Sequence, residues 1–129
     1  MATWMCFRAK LEEEKIYFSI QEAVELAEKV AGKNHNFKYI QLPVNMIMPE
    51  AFAQPWQEYK EGDKVLNENV FQVARRSKIN VITSSPLAQG QLGRMEPPKD
   101  VFKMSTIPAK HIQFARSIPA EAMLSKFFC

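Results

Sequence analysis

The sequence is poor in cysteine: Cys6 and Cys129, near opposite ends, are its only two. Such a pair reads as reduced thiols in a cytosolic protein, because a disulfide between them needs an oxidising compartment that nothing else in the chain suggests. Long hydrophobic runs are missing too. No stretch approaches the roughly 20 apolar residues of a membrane span. The opening Met1-Ala2-Thr3-Trp4-Met5-Cys6-Phe7 lacks the basic-then-apolar pattern of a secretory signal, so a cytoplasmic protein is expected. Charge of one sign is also scarce. Seventeen basic and fourteen acidic residues, interspersed, leave a net +3, which gives no case for nucleic acid or an anionic membrane as partner. There is no tandem repeat and no low-complexity segment. What is present is ordinary globular material: 129 residues, 47% apolar and 24% charged, enough for a single domain over residues 1–129 with one core.

Along the chain, residues 2–7 are short, apolar and aromatic and predict a strand, and the charged residues 10–15 predict a loop. Ser19 and Glu22 have the spacing of a capping box. Ile20, Ala23, Val24, Ala27 and Val30 follow at helical spacing with Leu26 beside them, and Gly32 stands where the helix should stop. Residues 37–42 predict a second strand, whose ladder should end or loosen at Pro43 because proline has no N–H. Residues 43–64, with Pro43, Pro49, Pro55 and Gly62, predict a long loop. A second helix is expected over 66–77. Asn80-Val81-Ile82-Thr83 reads as a strand buried on both faces, being short, β-branched and continuous. Residues 88–106 predict another loop, and 108–117 a third helix with Pro108 at its first position. The tail 118–129 holds either a weak strand near 122–124 or a frayed helix. Strand–helix alternation of this kind implies parallel strands joined by helical crossovers.

In parallel α/β sheets, ligands bind at the carboxyl ends of the strands. The first strand offers Thr3, Trp4 and Arg8 there, the second Gln41 and Asn45, and the third Ser84, Ser85 and the backbone up to Gly90. The set is rich in neutral hydrogen-bonding groups. It lacks a carboxylate pair, a His–Cys pair and any cluster at metal-ligand spacing. Each residue also has an ordinary alternative. Gln41 can satisfy a neighbouring backbone group, Asn45 can be a turn residue, and Ser84 and Ser85 can start a turn at Pro86. His35, in a polar turn, is expected on the solvated surface, and His111 at the surface or an interface. Tyr17, Tyr39 and Tyr59 stand in no fixed relation to a lysine or histidine that would suggest acid–base work. Met46 and Met48 read as gap-filling apolar residues.

Three segments in order carry a resemblance: Ala2-Thr3-Trp4 with Phe7-Arg8, then Tyr39-Ile40-Gln41-Leu42-Pro43-Val44-Asn45, then Thr83-Ser84-Ser85-Pro86-Leu87-Ala88-Gln89-Gly90. With a helix between each pair, they resemble the C-terminal half of the aldo-keto reductases, eight-stranded (β/α)8 TIM barrels that move a hydride between NADPH and a carbonyl. The segment 108–117 resembles that family's penultimate helix. The resemblance implies a partial barrel of about three to four parallel strands, with residues 2–7, 37–42 and 80–84 matching the fifth, sixth and seventh. It implies that Gln41 matches the glutamine on the nicotinamide amide, and that Ser85 and the backbone around Leu87 match the pyrophosphate contacts. Neutral donors suit that task.

Departures from the family pattern come with the resemblance. Ser84 stands where the family often has a ring that stacks on the nicotinamide. The Ser-Asn pair at the end of the fifth strand is matched by Ala2-Thr3, so Thr3 alone keeps a hydrogen-bonding group. Basic residues that grip the NADP 2′-phosphate are expected after the last matched helix, where this chain has Ile118-Pro119-Ala120-Glu121-Ala122-Met123. The family's catalytic aspartate, tyrosine, lysine and histidine precede the part matched here. The resemblance therefore implies a truncated NADP-dependent oxidoreductase, inactive alone because it lacks a general acid, with cofactor binding weak or lost. The alternative is a non-catalytic nucleotide-binding or protein-interaction module. Part of a barrel exposes strand edges that a closed one lacks, so self-association or pairing with a complementary half-barrel is expected.

Overall fold

The computed structural model describes residues 17–98 and 102–124. The expected strand at 2–7, the loop at 10–15 and the candidate Thr3 lie outside them. The first element, α1 (Ile20–Ala31), starts where Ser19 caps it: the hydroxyl accepts a hydrogen bond from Glu22 N–H at 3.2 Å. It stops at Gly32, which takes φ of 75° and donates its N–H to Glu28 O. Its apolar positions are unevenly used. Ile20 is fully buried, whereas Leu26 and Val30 remain 62% and 79% exposed.

Three parallel strands form the central sheet: β1 (Tyr39–Pro43), β4 (Asn80–Ser84) and β5 (Ala122–Leu124), in the order β1-β4-β5. The weak tail strand is thus present, and it pairs parallel with β4. The molecule is mixed α/β, with helices packed on one side of this sheet. Pro43 does not end the ladder, because Val44 N–H still bonds Ser84 O at 3.1 Å. In a parallel strand alternate residues bond to alternate neighbours. Residues 38 and 44 face β4, so Pro43 presents its missing donor to the other side.

Several expectations fail between β1 and β4. The predicted long loop at 43–64 holds a short helix, α2 (Glu50–Ala53), and most of a hairpin, β2 (Gln57–Glu61) with β3 (Lys64–Glu68). Its two-residue turn needs a left-handed residue, and Gly62 supplies it at φ of 61°. Residues 66–68, expected in the second helix, belong to β3. That helix, α3 (Val70–Arg76), begins only after Asn69, because Asn69 and Gln72 form a reciprocal capping box. The expected loop at 88–106 contains a 3₁₀ segment over Ala88–Arg94. The last helix, α4 (Ile107–Ser117), is capped by Thr106, which moves Pro108 to its second position.

The hairpin is held to α1 by side chains that take the place of strand partners. Gln57, fully buried, accepts from Ile20 N–H and donates to Phe18 O, both at 3.1 Å. Gln21 exchanges two bonds with the Lys60 backbone, and the Tyr17 hydroxyl accepts from Glu58 N–H. Burial pushes the Tyr17 phenol above its ordinary range; the backbone bond from Glu58 acts against this, and the Glu58 and Glu22 carboxylates add to it. At the far side of the hairpin, Arg76 forks onto Glu68 and lies 5.5 Å from the Tyr59 ring centre.

The core lies between the helices and one face of the sheet. Ile40, Leu42 and Val44 of the β1 segment and Val81 of β4 meet Val70, Val73 and Ala74 of α3, with Ile20, Ala51, Ile79 and Ile118 around them. Cross-strand pairs alternate strictly. Ile40–Val81 and Leu42–Thr83 are buried, while Tyr39–Asn80, Gln41–Ile82 and Pro43–Ser84 are exposed or half-buried. The reading of β4 as buried on both faces is therefore corrected: one face is sealed, and no described element covers the other.

Candidate functional site

The candidate site lies where β1 and β4 end. Gln41 is exposed, on the open face, and pairs with Ile82; Ser84 lies on the same face, one strand over and two residues further along. Strand spacing and rise put their Cα atoms about 8 Å apart. Both are thus brought to one surface, Ser84 as the last residue of β4 and Gln41 in the middle of β1 rather than at its end. Ser85 and Leu87, both half-buried, follow in the loop beyond β4.

That loop has an unusual backbone. Ser85, Ala88 and Gln89 take φ of 56°, 46° and 56°, and Gly90 takes 91°. A left-handed conformation outside glycine costs roughly 1–3 kcal/mol and persists only where the surroundings enforce it. Here the enforcement is visible. Asn45, fully buried, donates from Nδ2 to Ser85 O at 2.9 Å, and its Oδ1 accepts from Ile47 and Met48 N–H at 3.0 Å. Asn45 is accordingly a turn residue and a strut at once, with its amide committed to protein groups.

Within the loop, Ser85 O also accepts from Ala88 N–H, and Leu87 O accepts from Gly90 and Leu92 N–H. Both carbonyls are turned into the loop. Among the described residues no group is hydrogen-bonded to the hydroxyls of Ser84 or Ser85. The surface left for a ligand is therefore made of neutral donors, the kind of group that holds phosphate oxygens or an amide.

The histidines are not where the sequence suggests. His35 is buried, because its N–H bonds back to Gly32 O and folds the turn against the body. His111 is 1% exposed, and its Nε2 bonds Met95 O at 2.7 Å, tying α4 to the end of the 3₁₀ segment. Neither is placed for surface chemistry. Among the described residues no group of three His, Cys, Asp or Glu side chains can hold a metal ion, and no helix is long and apolar enough to cross a membrane.

Sequence reasoning missed the link from Asn45 to Ser85. Its only trace in the sequence is a polar amide just past a strand end, a position equally suited to an ordinary turn. No protein-family model, curated protein or solved structure matches the chain, and the site is therefore read from its own geometry.

Proposed function

We propose that these residues form the cofactor side of an NADP-dependent aldo-keto reductase barrel and bind the dinucleotide without turning over a substrate by themselves. The observation that carries the reading is the strained loop Ser85–Gly90 at the end of β4, fixed by buried Asn45 beside the exposed Gln41. Strain of this kind gathers at ligand-binding sites, and the ends of parallel strands are where such ligands sit.

The donor set fits part of the cofactor. Gln41 would hold the carboxamide of the nicotinamide, and Ser85 with the backbone at Leu87 would hold the pyrophosphate. Ser84 offers a hydroxyl in place of a stacking ring, which leaves the nicotinamide less firmly oriented. The described segment 118–124 contains no basic residue, so nothing there grips a 2′-phosphate. When bound, the cofactor supplies a hydride. This chain's residues supply position, and the acid that would protonate an alkoxide is not among those that match the family.

NADPH titrated into the protein, followed by its fluorescence, tests the reading. Saturable binding is expected, weakened by Gln41→Ala and by Ser85→Ala. No binding at millimolar cofactor, or binding indifferent to both changes, overturns it. NADPH-dependent reduction of an aldehyde panel by the pure chain overturns the claim that it does not turn over alone.

A second reading, an interaction module, is favoured by the open face of the sheet. Parallel sheets are normally covered on both sides, yet Tyr39 is 60% exposed and Ile82 only half-buried there. A second copy or a complementary half-barrel would cover that face. Sedimentation at several concentrations tests this, with a monomer at every concentration as the contrary result.

A further inference from the structure

A second concave site lies at the opposite end of the sheet from the strained loop. It is a cleft of about 550 Å³ at the start of β4, bounded by α2, α3 and the segment leading into β5. The five residues of β4 separate it from the Ser84 end by about 13 Å of strand, so it is no extension of the candidate cofactor site.

The lining is sorted by chemistry. Phe52 and Phe71, with Pro119, provide an apolar wall, and Phe52 is steadied from behind by Phe114 at 6.2 Å between ring centres. Arg75, one helical turn beyond Phe71, and Lys78 provide two positive charges. Both are exposed, and no carboxylate among the described residues pairs with either. The neighbouring Arg76 behaves differently, since it is spent on Glu68. One negative charge, Glu121, also borders the cleft. The border is therefore positive by one charge, beside rings that offer stacking surface.

Size and charge together select a ligand class. The volume falls within the range of small-molecule pockets, roughly 300–1,000 Å³. A single aromatic group fills such a wall, a single anionic group is matched by Arg75 and Lys78, and Glu121 acts against a second negative charge. We propose that this cleft binds small aromatic monoanions, chiefly aromatic carboxylates, with the ring against Phe52 and Phe71 and the carboxylate toward Arg75 and Lys78. The site is independent of the cofactor reading and stands or falls without it.

The test uses N-acetyl-tryptophan as probe and uncharged N-acetyl-tryptophanamide as comparator, titrated into the ¹⁵N-labelled full chain and followed by amide chemical shifts. Saturable shifts are expected at Phe71, Arg75, Lys78 and Glu121. The carboxylate should bind about tenfold more tightly than the amide, a preference within reach of two exposed cations. The double variant Arg75→Ala, Lys78→Ala should erase that preference while its spectrum stays dispersed, and Glu121→Gln should strengthen carboxylate binding. Equal affinity for the two probes, shifts confined elsewhere, or no saturation by about 10 mM would each overturn the proposal. So would a preference that survives the double variant.

Discussion

Leu42 and Gln41 are neighbours in β1, yet Leu42 is 1% exposed and Gln41 lies open on the other side of the strand. The same division runs through β4, where Val81 and Thr83 are sealed and Ile82 and Ser84 are not. One face of the sheet has the density of a core, with two helices and a run of aliphatic side chains against it. The other combines apolar surface, at Tyr39 and Ile82, with hydrogen-bonding groups, at Gln41 and Ser84. The difference shows that the sealed core and the open surface are built from alternate residues of the same strands. A change on one face should leave the other nearly untouched.

The strongest test of that division is Leu42→Ala, which should cost about 2–5 kcal/mol in urea unfolding through lost burial and the cavity left behind. Its neighbour Gln41→Ala should stay within about 0.5 kcal/mol while weakening NADPH binding. Equal costs at the two positions would mean that the open face is covered in solution. Next comes Asn45→Ala, the one change expected to cross between faces. It removes the side-chain bonds to Ser85 O, Ile47 N–H and Met48 N–H and leaves Ile47 N–H without a partner, so a loss of about 1–3 kcal/mol is expected together with weaker cofactor binding. Unchanged binding would show that the strut does not set the loop. Gln89→Gly should act in the opposite direction, raising stability by roughly 0.5–1 kcal/mol by relieving a left-handed backbone at an exposed position.

The smallest effect is confined to alkaline pH. The Tyr17 phenol titrates higher in the folded chain than its ordinary 10.0. The unfolded chain then loses that proton first. Its contribution is intact below pH 10.0 and falls away as pH rises through the folded-state value. Tyr17→Phe should flatten the stability profile above that point, measured as Tm against pH, and also expose Glu58 N–H.

Much of this was legible in the chain. Ser19, Gly32 and the apolar spacing between them mark α1. The β-branched run at 81–83 marks β4, and the alternation along the strands carries Gln41 and Ser84 to one face of a parallel sheet. The hairpin was hidden because its strands are dominated by polar residues: Gln57, Glu58 and Glu61 face Glu68, Asn67 and Lys64, with little apolar alternation to betray them. Its turn, Gly62-Asp63, was the one available sign. The box at Asn69 and Gln72 would have moved the start of α3, but polar pairs at that spacing are common. The burial of His35 and His111 was out of reach because tertiary contact, not local pattern, decides it. Pairs such as Asn45 with Ser85, 40 residues apart, leave no periodic trace.

The side-chain bonds that fasten the hairpin to α1 have a consequence for how the molecule opens. They join residues 37 to 41 apart, and they enclose β1, so α1 cannot detach without releasing the hairpin as well. The two should therefore exchange their amide hydrogens as one cooperative unit. Glu58 and Lys60 N–H are its reporters, because each is protected by a side chain rather than by a strand. If that unit opens at lower free energy than the β1–β4 pair, the hairpin side is the molecule's soft flank, and the sheet bearing Gln41 and Ser84 is its rigid one.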